Sequence, residues 1–129
     1  MTPQRLLLVL AGGSLGTAAR LAVGLWMPDA GGFPYATLLV NVLGALLIGV
    51  VAARLASTAA LRVFLGTGVL GGFTTYSAFM TGTVALWADA PLLAFAYAAG
   101  SLVLGLVAAA LGLFLGRPRA SAARAGADA

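Results

Sequence analysis

The chain has 129 residues, of which 62% are hydrophobic and only 8% charged, and its mean hydropathy is +1.09. A soluble domain carries roughly 25% charged residues, so this composition excludes one and leaves a single small membrane-embedded unit. It has no cysteine and no histidine, which removes disulfides, thiol chemistry, and the usual metal ligand and proton shuttle. The sequence pI of about 10.8 does not point to nucleic acid. There is no lysine, and all the arginines except Arg20 sit at segment ends, where membrane topology is encoded.

Crossing a bilayer takes about 20 apolar residues, and four runs reach that length: residues 6–26, 36–53, 63–86 and 92–115. They predict an all-α integral membrane fold. The first run follows Arg5 and is not read as a signal peptide, because equally apolar runs follow it. It holds Gly12 and Gly16 at a spacing that lets helix backbones approach closely. Arg20 lies inside it, where a charge costs roughly 2.5–3.5 kcal/mol on insertion scales. Arg20 either reaches the outer face beside Trp26 or lines an aqueous vestibule that attracts anions.

A turn-rich loop, 28–34, leads to the second run. Thr37 and Asn41 stand one helical turn apart there, and an Asn in hydrocarbon either bonds across to another helix or lines a pore. A short link, 54–62, precedes the third run. This run carries no charge between Arg62 and Asp89, yet it contains Gly71-Gly72-Phe73-Thr74-Thr75-Tyr76-Ser77-Ala78-Phe79. Paired glycines followed by paired threonines are poor helix formers, so this span is expected to break there. In lipid the freed backbone groups must be buried in protein or line a cavity, and freed carbonyls near the midplane can hold an ion. Tyr76 and Phe79 share one helix face, and they either pack between spans or offer their electropositive ring edges to a dehydrated anion.

After a tight turn at 89–91, the fourth run carries Ser101 and a further close-packing pair, Gly112 and Gly116. Gly68 and Gly72 form another such pair in the third run. Ser77 and Ser101, taken singly, are expected to bond their own i−4 carbonyls. Residues 1–116 therefore form a four-helix transmembrane domain, and 117–129 a short polar tail expected to be disordered.

Six arginines, Arg5, Arg54, Arg62, Arg117, Arg119 and Arg124, fall on one side of the four-span layout. Asp29 and Asp89 fall on the other, with no arginine. The positive-inside rule places both termini in the cytoplasm of a cell inner (plasma) membrane. No span contains Asp or Glu. That argues against a small multidrug-type transporter, which needs a membrane carboxylate, and is compatible with anion conduction.

Three stretches together resemble the Fluc/CrcB family of fluoride channels. They are Gly12-Gly13-Ser14-Leu15-Gly16-Thr17-Ala18-Ala19-Arg20, Thr37-Leu38-Leu39-Val40-Asn41-Val42-Leu43-Gly44, and residues 71–79. The resemblance covers nearly the whole chain, in order. It implies a non-enzymatic, passive fluoride exporter built as an antiparallel dimer, with the third helix broken. It implies a fluoride path along Asn41, Tyr76, Phe79, Thr37, Ser77 and Ser101, with Arg20 in a vestibule or interface. It also implies a structural sodium ion held by the backbone carbonyls of Gly71 and Thr74 from both subunits. Tyr76 stands where the family usually has Phe, Ala78 where it usually has Thr, and Gly105 and Ala109 where hydroxyls are frequent. A non-conducting structural partner subunit is therefore the alternative role. Because all six end arginines favour one orientation, the expected partner is an oppositely oriented paralogue.

Overall fold

The computed structural model describes residues 2–28 and 31–118. Asp29, Arg119, Arg124 and nearly all of the expected tail lie outside the described residues. Among the described residues, four helical stretches are long and apolar enough to cross a membrane: Pro3–Trp26, Tyr35–Arg54, Ala60–Asp89 and Pro91–Gly116. Helix α1 (Pro3–Trp26) begins three residues before its apolar run. The Thr2 hydroxyl accepts from the Arg5 N–H at 3.4 Å, and Pro3 takes the first helical position, where its missing N–H has no role. Gly31 and Gly32, with φ of 64° and 79°, make the left-handed turn into α2 (Tyr35–Arg54).

The third span is not a uniform helix. It opens with α3 (Ala60–Arg62), continues as a π-helical segment (Val63–Leu70), and closes its first half with one turn, α4 (Gly71–Phe73). Thr74 and Thr75 are extended, and the span resumes as α5 (Tyr76–Asp89). The break therefore falls two residues after the glycine pair, and both glycines are helical. Only Ala90 separates α5 from α6 (Pro91–Gly116), so the expected 89–91 turn shrinks to one residue. The 54–62 link likewise shrinks to 55–59.

Helix α1 packs against the π-helical segment and α4, while α2 and α5 both pack against α6. Two crossings bring backbone onto backbone. At the first, a side-chain carbon on Gly16 would strike the Val69 carbonyl, and one on Gly72 would strike Gly13. At the second, a carbon on Gly112 would strike the Leu46 carbonyl. The glycine pairs thus act as packing surfaces, as their spacing predicts. The side-chain core lies between α5 and α6, where Phe79, Leu86, Ala94 and Tyr97 are buried with Phe33, Leu38 and Ala98 against them. Leucines such as Leu25, Leu92 and Leu106 face outward, as the lipid-facing surface of a membrane protein requires.

Candidate ion path at the helix break

A break in a membrane helix must re-satisfy its own backbone, and here the span's own threonines and two neighbouring spans do so. Thr74 N and Thr74 Oγ1 both donate to the Leu70 carbonyl, at 3.0 and 2.9 Å. Thr75 Oγ1 caps α5 by accepting from the Ala78 N–H at 3.1 Å. The Asn41 amide grips Thr75 from α2. Its Nδ2 donates to the Thr75 carbonyl at 3.0 Å, and its Oδ1 accepts from the Thr75 N–H at 2.8 Å. One turn further along α2, Gly44 leaves the room that the Thr74 methyl occupies. From α1, Arg20 Nε donates to the Gly72 carbonyl at 3.2 Å, and Thr17 Oγ1 donates to the same oxygen at 3.4 Å. Arg20 is half-buried. It puts positive charge at the C-terminal end of the first half-helix, where the helix dipole favours it.

Four of the expected path residues meet. A cleft of about 290 Å³ is lined by Asn41, Thr74, Thr75, Tyr76, Phe79, Ser101 and Leu102. The Tyr76 and Phe79 rings lie 5.9 Å apart, with Tyr76 75% exposed and Phe79 buried. The Asn41 amide carries two N–H donors. One is held by Thr75, and among the described residues the other has no protein acceptor. Ser101 Oγ is buried and makes no hydrogen bond among the described residues, so the expected bond to its own i−4 carbonyl is absent.

The remaining expected residues lie elsewhere. Thr37 shares a second cavity, of about 220 Å³, with Arg20, Val40, Thr75 and Ala78. Ser77 is exposed and lines neither cavity; its hydroxyl pairs with Thr75 Oγ1 at 3.2 Å rather than with its i−4 carbonyl. Thr75 is the residue that both cavities share. Among the described residues, no acidic side chain lines either one.

The CrcB-like protein family (camphor resistance, CrcB) matches residues 7–113. The chain belongs to this family. It is 46% identical over 123 residues to the fluoride-specific ion channel FluC of Thermus thermophilus, covering 90% of this chain and 96% of that one. It is 50% identical over 112 residues to FluC of Anaeromyxobacter dehalogenans, covering 82% of this chain and 89% of that one. It is 44% identical over 112 residues to FluC 2 of Bacillus subtilis, covering 84% and 85%.

Within this CrcB-like chain, sequence reasoning missed Thr75, Tyr97 and Phe33. The signal for Thr75 is its place as the capping residue before α5. Tyr97 precedes Ser101 by one helical turn and is 3% exposed. Its ring stands edge-on to Phe33, 5.4 Å away at 82°, and lies 5.6 Å from Phe79. Phe79 is therefore fixed by a run of aromatic contacts that reaches the loop before α2.

Proposed function

We infer that this chain is a subunit of a passive, fluoride-selective channel that lets fluoride leave the cytoplasm. One observation carries the reading. In a chain closely similar to fluoride-specific channels, an amide donor, two aromatic rings and a hydroxyl with no partner among the described residues gather around one cleft. Fluoride is small and strongly hydrated, so its path needs close, strong donors in place of water. Asn41's second N–H, the edges of Tyr76 and Phe79, and Ser101 Oγ supply them. With no carboxylate lining it among the described residues, the cleft is favourable to an anion. Arg20 and Thr37 form the vestibule, and the path passes Thr75 between the two cavities. Conduction of this kind needs no catalysis.

The residues at the break also fit a structural sodium ion. Among the described residues, no protein donor reaches the Gly71 or Thr74 carbonyl, whereas the Gly72 carbonyl is already taken by Arg20 and Thr17. Carbonyls left free where a helix ends or unwinds are suited to sodium. One chain offers too few oxygens to replace its hydration, and an inverted second subunit doubles the set. Bound there, the ion would supply a fixed positive charge joining the two breaks.

Assembly follows from charge. Arg5, Arg54, Arg62 and Arg117 stand at one end of the bundle, with Asp89 at the other, which favours insertion with both termini in the cytoplasm. The antiparallel partner is then an oppositely oriented paralogue. Reporter fusions at the termini test this: equal cytoplasmic and periplasmic signals would refute it. A bacterial strain lacking its own fluoride exporters tests the function. Growth in fluoride medium should return when this chain is expressed with its inverted paralogue, and failure to recover would contradict the reading.

A further inference from the structure

The four described arginines at the terminal end of the bundle are of two kinds. Arg5 Nη2 donates to the Thr58 carbonyl at 3.3 Å, and Arg62 Nη1 donates to the Leu55 carbonyl at 2.9 Å. Both are used within the fold to tie down the 55–59 link. Arg54 and Arg117 make no hydrogen bond or ion pair among the described residues. The one described acidic residue, Asp89, ends the third span at the opposite end of the bundle.

Arg54 is the last residue of α2, and Arg117 follows the last residue of α6. The helix crossing brings them together. Gly116, directly before Arg117, is packed so closely on Val50 and Ala53 that a side-chain carbon there would lie 2.7 Å from the Ala53 methyl. The two arginines then flank a cavity of about 480 Å³, lined otherwise by Leu115, Gly116 and Pro118. Leu115 in the lining is exposed, as are Leu47, two turns before Arg54 on α2, and Leu111, one turn before Leu115 on α6. The site is basic at its rim and apolar toward the membrane.

Two positive charges lining one cleft repel unless an anion comes between them. A guanidinium binds a phosphate through two parallel N–H bonds. The carbonyls ending α2 and α6 carry only partial negative charge, which two full positive charges outweigh. Basic clefts between membrane helices on the positively charged side suit anionic headgroups. We propose that the Arg54–Arg117 cleft binds the phosphate of an anionic phospholipid, with an acyl chain along the exposed leucines of α2 and α6. Free phosphate shares the headgroup's chemistry but makes no use of the apolar wall, so the lipid is the occupant that fits the whole site. The proposal does not depend on the fluoride reading.

Native mass spectrometry of the full chain in neutral detergent tests it, with phosphatidylglycerol, phosphatidylcholine and inorganic phosphate as probes. The wild type should retain phosphatidylglycerol in preference to phosphatidylcholine. The R54Q/R117Q variant should lose that preference by roughly fivefold per arginine, while R5Q keeps it. Equal retention by wild type and a folded R54Q/R117Q would overturn the proposal. Inorganic phosphate should not displace the lipid; displacement at equal concentration would assign the cleft to a soluble anion and overturn it. A salt titration on the wild type alone gives an independent reading. The preference should fall as salt rises, and a salt-independent preference would also overturn the proposal.

Discussion

The two halves of the third span are held in opposite ways. The first half meets α1 through bare backbone, with Gly12 and Gly16 against 64–73. The second half meets α6 through side chains, with Phe79 and Leu86 buried beside Ala94 and Tyr97. Where the first half ends, neither kind of contact serves, and polar groups take over: Asn41, Thr75, Thr74 and Arg20. A joint between a backbone-packed segment and a side-chain-packed segment is therefore where a membrane helix can open without losing its place.

This contrast can be broken most severely at Gly16. G16V drives a branched side chain into the Val69 carbonyl and Phe73 N–H, which no rotamer avoids. The loss should exceed the ~1–3 kcal/mol usual for an overpacked core, seen as loss of folded, monodisperse protein on size exclusion. G105A, where nothing lies within 4 Å of an added carbon, should stay within about 0.5 kcal/mol of wild type. Next comes the joint. N41A strands both backbone groups of Thr75, at about 1–3 kcal/mol for each buried group, and should abolish fluoride efflux. N41D keeps the acceptor but removes the N–H donor and adds a charge that repels anions, so it should also abolish efflux.

The paired glycines separate the two halves more finely. Gly71 is ordinary right-handed helix (φ −64°, ψ −36°), and an added carbon would meet only the Gly66 carbonyl at 3.8 Å. At Gly72 the added carbon meets the Gly13 backbone. Thermal unfolding should therefore find G72A destabilised by about 1–3 kcal/mol and G71A by less than about 0.5 kcal/mol. The smallest effect on stability belongs to S101A. Ser101 Oγ makes no hydrogen bond among the described residues, so unfolding should barely change, while fluoride efflux falls several-fold.

Span number and the one-sided arginines are legible because each is a property of contiguous sequence: long apolar runs, and charges at their ends. The glycine pairs are legible because helical packing repeats every four residues. The break is readable to within a few residues, and of the two pairs expected to cause it the threonines open while the glycines stay helical. Glycine's poor helix propensity points to Gly71-Gly72, yet Gly72 serves close packing, and Thr74-Thr75 opens instead. The reason is non-local: the Thr75 backbone finds its partner in Asn41, 34 residues away. The π-helical stretch at Val63–Leu70 was not legible either. Its run of apolar and small residues carries no periodicity that separates a wide helix from an ordinary one. The separation of Thr37 and Ser77 from the main cleft likewise depends on how spans cross.

The central claim is that donors gathered at the break select fluoride. The direct measurement is simultaneous fluoride and chloride efflux from vesicles carrying this chain with the proposed inverted partner. The account predicts that fluoride leaves while chloride stays, and that N41D stops the fluoride. Comparable efflux of both halides would contradict it.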